Sequence, residues 1–358
     1  MSDHVTVIAE AGVNHNGSLD TALGLVEAAA GAGADIVKFQ TFKAEALAAA
    51  SAPKAVYQAR ETGSDQTQLD MLRTLELPAA YHHELARACE SAGIEFLSTA
   101  FDGESLKFLV GEMGIKRIKI PSGELTNAPL VLDAARSGLP MILSTGMATL
   151  GDVETALGVV AFGMIGGNEA PGRDAFEAAY ASKQGRDALR DAVTVLHCTT
   201  DYPTPPEAVN MRAMATMGRA FGVRIGYSDH TAGLGVPVLA VGQGASLIEK
   251  HFTLDRAMPG PDHKASLEPD DLCSMIAMIR EAQAANASKE TAPGDAERKN
   301  IVVARKSLVA AQPIARGEAF SQDNLTVKRP GDGRTPMDFW ALQGQPASRD
   351  YAVNEAVE

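Results

Sequence analysis

The sequence predicts an α/β protein, a (β/α)8 TIM barrel followed by a small C-terminal domain of short strands and turns. Three observations carry this. Eight short β-rich apolar runs alternate with longer Ala/Leu/Glu/Arg-rich stretches of helical spacing, the pattern of repeated βα units around a parallel sheet. Eight such units in about 280 residues match a closed barrel, whereas a doubly wound open sheet usually stops near six strands. Composition then shifts near residues 284–299 to Ala, Asn, Ser, Lys, Glu and a Pro-Gly pair, as in a linker.

In chain order the strand-like runs are residues 5–11, 34–41, 94–101, 117–122, 140–146, 193–199, 224–230 and 246–253. Each begins apolar and ends polar: Glu10; Lys38 with Gln40; Ser98-Thr99; Lys119 with Ser122; Ser144-Thr145; His197 with Thr199; Ser228-Asp229-His230; Glu249-Lys250-His251. In a parallel barrel these ends share one face, where active sites of this fold are built. The stretches 21–32, 80–92, 152–162 and 270–285 carry apolar residues at three- and four-residue intervals and read as outer helices. Between the fifth and sixth strands lies an insertion, about 165–190, with a second polar helical stretch over 174–189. The expected division is a barrel over 1–284, a linker over 285–300 and a second domain over 301–358. In that domain the strand-like segments are 301–310, 319–320, 325–328 and 340–342. A core of that size is marginal alone and is expected to pack on a barrel, its own or a partner's.

Composition excludes several classes of function. The net charge of −13 and the absence of a basic tract argue against nucleic-acid binding, so an anionic substrate must be held by a few local cations. Cys89, Cys198 and Cys273 are odd in number and in no metal-binding spacing, as in a reducing compartment. No apolar run is long enough for a membrane span and the N-terminus does not read as a signal peptide, so a soluble, cytoplasmic protein is expected.

Lys38 and Lys119 are cations inside apolar strands. A buried ammonium needs an anion or must be neutral. Aimed at one barrel mouth, the two make a phosphate or carboxylate site with Gln40, Thr99, Ser122 and Ser144 as neutral donors; internal salt bridges to Glu10 or Glu249 and a Schiff-base lysine are the alternatives. His230 and His251 end adjacent strands and can share a metal, with Asp229 and Glu249 nearby and solvent or substrate oxygens completing a site for Mn²⁺ or Mg²⁺. Asn14-His15-Asn16-Gly17 is a polar turn that either caps the next helix or contacts substrate. Asp201-Tyr202 and the 258–264 loop are stiffened by prolines beyond strands six and eight. No nucleotide-binding or nucleophile-elbow motif is present.

Several segments together resemble the bacterial sialic acid synthase family: residues 8–17 (IAEAGVNHNG), 37–42 (VKFQTF), 119–124 (KIPSGE), 143–148 (LSTGMA), 226–231 (GYSDHT) and 248–255 (IEKHFTLD). Residues 316–321 (RGEAFS) and 327–331 (VKRPG) are similar to that family's antifreeze-like domain, a SAF domain of β-clip fold. The resemblance implies condensation of phosphoenolpyruvate with an N-acylated hexosamine, either N-acetylmannosamine or 2,4-diacetamido-2,4,6-trideoxymannose, to a sialic or legionaminic acid and phosphate. It implies phosphoenolpyruvate binding by Lys38, Gln40, Thr99, Lys119, Ser122, Ser144 and Ser228. Glu10, Glu124, Tyr202, Asp262 and Arg329 go to the sugar, with Glu10 and Glu124 as the acid/base candidates. His230 and His251 hold a divalent metal, Mn²⁺ before Mg²⁺ or Co²⁺. It further implies a domain-swapped homodimer in which the SAF domain covers the partner's barrel. Thr200 replaces an Asn of some N-acetylneuraminate synthases, Tyr227 precedes Ser228 where others carry Asn or Phe, and Ala100 replaces a Pro. The first two are placed near sugar or pyruvate and lean toward legionaminate. A Schiff-base aldolase using Lys38 or Lys119, or a non-catalytic carbohydrate-binding protein, are the other readings.

Overall fold

Side chains of a strand alternate between two faces, and here that alternation builds two different layers. The inward residues Ile8, Ile36, Leu97, Ile142, Leu196 and Leu247 form an apolar plug. The outward residues Val7, Ala9, Ala11, Val37, Phe39 and Ile248 join the helices in a larger core. The computed structural model describes residues 4–55, 58–59, 67–167, 169–286 and 291–358. It divides into two compact units, Met1–Ala287 and Ser288–Glu358.

In the first unit the strands are β1 (Thr6–Gly12), β2 (Ile36–Thr41), β3 (Glu95–Ala100), β4 (Ile118–Ile120), β5 (Met141–Ser144), β6 (Val193–His197), β7 (Arg224–Asp229) and β8 (Leu247–His251). All pair in parallel in the order β3-β2-β1-β8-β7-β6-β5-β4. Pairing of the first strand with the last is what a barrel requires and an open doubly wound sheet lacks. β3 and β4 touch without a hydrogen-bonded ladder. β4 is short because Pro121, which has no N–H to donate, follows it and Ser122–Glu124 turns into a 3-10 helix. β3 to β8 stop earlier than the expected runs, since their polar ends bend into loops, whereas β2 ends where expected and β1 runs one residue further. At the level of the plug β7 must carry glycine: a Cβ on Gly226 would lie 2.5 Å from Leu247 O and 2.7 Å from Leu196 Cδ2.

The helices Leu19–Gly31, Ala79–Ala92, Leu150–Ile165 and Pro269–Ala285 fill the expected outer positions. The first is capped by Ser18, whose Oγ accepts from Thr21 N, and not by Asn16. Thr149 and Asp152 form a reciprocal capping box on the third. The insertion is two helices, Arg173–Ala181 and Lys183–Ala192, that pack on Leu150–Ile165. Gly158 makes room for them, since a Cβ there would meet Phe176 O at 3.0 Å. No helix among the described residues is long and apolar enough to cross a membrane.

In the second unit β9 (Ser307–Ala310) pairs antiparallel with β10 (Leu325–Lys328) over a core of Leu308, Ile314, Phe320, Leu325, Leu342, Tyr351 and Val357. Two expected strand segments are helical here: 301–304 ends the helix Asp295–Ala304, and 340–342 lies in the turn Phe339–Leu342. Charged and alanine-rich residues preceding 301 favour helix over strand.

Candidate active site

Above the apolar plug, the next inward positions of the same strands change character. Ile8, Ile36, Leu97, Ile142 and Leu247 are followed two residues later by Glu10, Lys38, Thr99, Ser144 and Glu249. With Ser228 and Lys119 these make a polar floor. The barrel residues given roles by the resemblance line one cavity of about 380 Å³: Glu10, Lys38, Gln40, Thr99, Lys119, Ser122, Glu124, Ser144, Tyr202, Ser228, His230, His251 and Asp262. Arg329 belongs to the second unit.

Glu249 sits between the lysines, 3.2 Å from Lys38 Nζ and 3.4 Å from Lys119 Nζ, and accepts from Ser228 Oγ at 2.9 Å. Lys38 also meets Glu10 at 2.6 Å and donates to Thr99 Oγ1 at 3.1 Å. Lys119 donates to Ser144 Oγ at 2.8 Å. The internal salt bridges therefore exist, and they lie among the hydroxyls and the amide expected to hold an anion. Glu249, which the sequence left between the histidines and the lysines, joins the lysines; its place two residues before His251 puts both on the cavity side of β8.

The four charges are not equally secure. Burial would raise the Glu249 carboxyl, but Lys119 and Lys38 hold it below the ordinary range. Burial would weaken the Lys38 ammonium, but Glu10 and Glu249 hold its pKa up. Burial raises Glu10 despite the close Lys38, with Glu249 adding to the shift. Burial lowers Lys119 despite Glu249, with Lys38 repelling it. Glu10 thus takes a proton most readily and Lys119 gives one up most readily. Glu124, in the 3-10 turn after β4, accepts from Asn127 Nδ2 at 2.7 Å and is less buried than Glu10.

At the mouth the His230 and His251 rings are 5.7 Å apart, and Tyr202 packs on both at 4.1 and 5.7 Å. Burial lowers both pKa values, that of His251 well below the ordinary value, so both rings are neutral near pH 7. His230 Nδ1 donates to Thr199 O at 2.5 Å, which leaves Nε2 with its lone pair, while His251 Nδ1 is buried without a hydrogen-bond partner. Two neutral imidazoles, one with an orphaned nitrogen, fit a divalent cation. Among the described residues no three His, Cys, Asp or Glu are placed to hold a metal ion together, so solvent or substrate oxygens would supply the remaining ligands. Asp229 is not among the cavity residues: it lies one residue out of phase with Ser228 and His230 and pairs with Lys250. Tyr227 is likewise placed away from the cavity, bonded to Asp229, whereas Thr200 lines it.

The 14–17 turn has a third role. Asn14 Nδ2 donates to Phe252 O and Ser266 Oγ, and Asn16 Nδ2 to Pro259 O. The turn pins the loop that brings Asp262 into the cavity. Burial, with Glu10 adding, pushes the Asp262 carboxyl up to about 7. A carboxyl raised in this way favours the folded state below its ordinary pKa and loses that advantage as pH rises through about 7. Asp262→Asn is therefore expected to gain in Tm relative to the parent between pH 5 and pH 8 in thermal melts. A difference independent of pH would place this carboxyl at its ordinary value.

A parallel barrel whose mouth gathers two lysines and two glutamates beneath neutral imidazoles has the fold and the chemical groups of a barrel enzyme. Residues 25–291 match the NeuB family and residues 305–355 match the SAF domain. The chain belongs to the NeuB family and is a synthase of that family. The N,N′-diacetyllegionaminic acid synthase of Campylobacter jejuni is 45% identical over 351 residues, 98% of each chain. That of Legionella pneumophila is 42% identical, covering 97% of this chain and 91% of the relative. The crystal structure of N-acetylneuraminic acid synthetase from Leptospira borgpetersenii, in complex with citrate, superposes with a TM-score of 0.67 at 29% identity, over 83% of this chain and 90% of that one.

Proposed function

We propose that this synthase makes N,N′-diacetyllegionaminic acid, condensing phosphoenolpyruvate with 2,4-diacetamido-2,4,6-trideoxymannose and water and releasing phosphate. The observation that carries the choice of sugar is the pair of relatives of that name, 45% and 42% identical over nearly the whole chain. The floor supports the phosphoenolpyruvate half. Lys38, Lys119, Thr99, Ser144, Ser122 and Ser228 offer cations and hydroxyls in one place, and Gly146 N already donates to Ser122 Oγ at 3.0 Å.

In the reaction the enol carbon of phosphoenolpyruvate attacks the open-chain aldehyde, forming a C–C bond while the aldehyde oxygen takes a proton. Cationic character at the former enol carbon draws in water, which loses a proton, and the tetrahedral phosphate ester collapses with departure of phosphate. Lys119 and Lys38 hold the phosphate and carboxylate while charge redistributes. Glu10, with its raised pKa and its place on the floor, is the proton carrier for the aldehyde oxygen or for water. A divalent cation bound by His230 and His251, Mn²⁺ in our reading, would polarise the aldehyde as a Lewis acid. Tyr202, Asp262 and Glu124 line the mouth, where the sugar must enter.

The test is phosphate release from phosphoenolpyruvate across N-acylated hexosamines. The diacetamido trideoxy sugar is expected to give a kcat/KM at least about tenfold above that of N-acetylmannosamine, the scale of one well-placed polar contact. The reverse preference would reassign the acceptor.

A further inference from the structure

β7 and β8 run in register, so Ser228 faces Glu249 and Asp229 faces Lys250 across the ladder. By alternation, Ser228 and Glu249 face the cavity, whereas Asp229 and Lys250 enter the layer between barrel and helices. Around them that layer holds apolar residues such as Ala9, Val37 and Ile248. Both charges are fully buried. Asp229 Oδ2 accepts from Lys250 Nζ at 2.5 Å and from Thr231 Oγ1 at 3.0 Å, and its Oδ1 accepts from Tyr227 OH at 2.9 Å and Thr231 N at 3.1 Å. Lys250 also donates to Thr231 O and, at 3.4 Å, to Gly233 O.

A buried ion pair is a poor device for stability, because an apolar pair of equal volume is often as good or better. What this one supplies is direction. It ties the last residues of two strands to each other and to the turn after β7, and the residues that follow its two members are His230 and His251. His230 is aimed by Thr199 O, but His251 has no hydrogen bond on Nδ1, so its aim depends on the backbone of β8 and on packing.

We infer that Asp229 and Lys250 are positioning residues that hold the ends of β7 and β8 so that the two imidazoles converge on one divalent cation. This rests on the metal reading of those imidazoles. Outer partners of metal ligands typically change affinity by about 10- to 100-fold when removed.

The experiment titrates Mn²⁺ calorimetrically into the full-length, metal-free protein without substrate, for the parent, Asp229→Asn, Lys250→Met and the double variant. Melting temperature and phosphoenolpyruvate affinity are measured alongside. Each single variant is expected to lose stability and Mn²⁺ affinity together. The double variant, which buries no unpaired charge, is expected to regain most of the stability yet bind Mn²⁺ about 10- to 100-fold more weakly than the parent, with phosphoenolpyruvate affinity within about twofold. Recovery of Mn²⁺ affinity together with stability would make the pair merely structural and overturn the inference. Tyr227→Phe removes one hydrogen bond to Asp229 and keeps the test readable if the charge variants do not fold. It should weaken Mn²⁺ binding several-fold at nearly constant Tm, and unchanged binding overturns the inference. A parent protein that binds no Mn²⁺ overturns the metal reading as well.

Discussion

Exhaustive chelation is expected to abolish phosphate release and added Mn²⁺ to restore it, and His251→Ala is expected to lower kcat/KM by roughly 10³-fold with little change in Tm. The size follows from Lewis-acid assistance of several kcal/mol at about 1.4 kcal/mol per tenfold in rate. His15→Ala should give the opposite signature. His15 is fully buried, its Nδ1 accepts from Gly17 N at 2.9 Å, and burial lowers its pKa to about 4, so it is a neutral part of the scaffold beneath the Asp262 loop. Its loss lowers Tm and touches kcat less. The pH profile carries the same signs. His230 and His251 have lowered pKa values, so they stay neutral below the ordinary imidazole value of about 6.5 and protonate only on further acidification. The acid limb of the rate is expected below that ordinary value, moving to lower pH as Mn²⁺ is raised. Full activity after chelation would remove the metal from the mechanism.

Lys119→Ala and Arg329→Ala chains are each expected to be nearly inactive and to recover activity when mixed under conditions of subunit exchange. Lys119 is buried on the floor with Ser144 and Glu249, so its loss removes a cation where phosphate must sit, at a cost of about 10²- to 10³-fold in kcat. Arg329 is exposed in the second unit, its Nε donating to Ala304 O at 3.0 Å, and its guanidinium suits an N-acyl carbonyl or sugar hydroxyls. A charge-assisted contact of that kind is worth about 1.5–3 kcal/mol, or roughly 10- to 100-fold. Our proposal is a domain-swapped homodimer in which Arg329 serves the partner's barrel. Exposed apolar side chains support it: Met147 on the loop after β5, Leu150 at the start of the helix that follows, and Met337 and Trp340 in the second unit. A heterodimer then retains one intact site, made of a wild-type floor from one chain and a wild-type arginine from the other. No recovery despite exchange proven by mass measurement would mean that each chain closes its own barrel.

Much of the fold was legible because strand and helix periods differ and each strand announces its own end. The run Ile36 to Gln40 already shows the plug, the floor cation and the mouth amide at positions two apart. The same rule placed Lys119 and Ser144. It failed where chain neighbours were read as spatial neighbours: Asp229 next to His230, and Tyr227 next to Ser228, face the helices instead. It also failed at 301–304 and 340–342, where short apolar segments carry no period long enough to separate strand from helix.

The sequence by itself determined the eight βα units, the polar end of each strand, the residue types at the barrel mouth and the family, because these depend on local hydrophobic pattern and on motifs within single strands. Tertiary structure alone decided how the charges pair. Glu249 could have joined the histidines or the lysines, and only closure of β8 onto β1 and β7 sets its carboxylate between Lys38 and Lys119. The protonation bias of Glu10, Lys119 and Asp262 follows from the same closure, since the free energy of a buried charge depends on the water it loses and on the charges brought beside it from strands far apart in the chain.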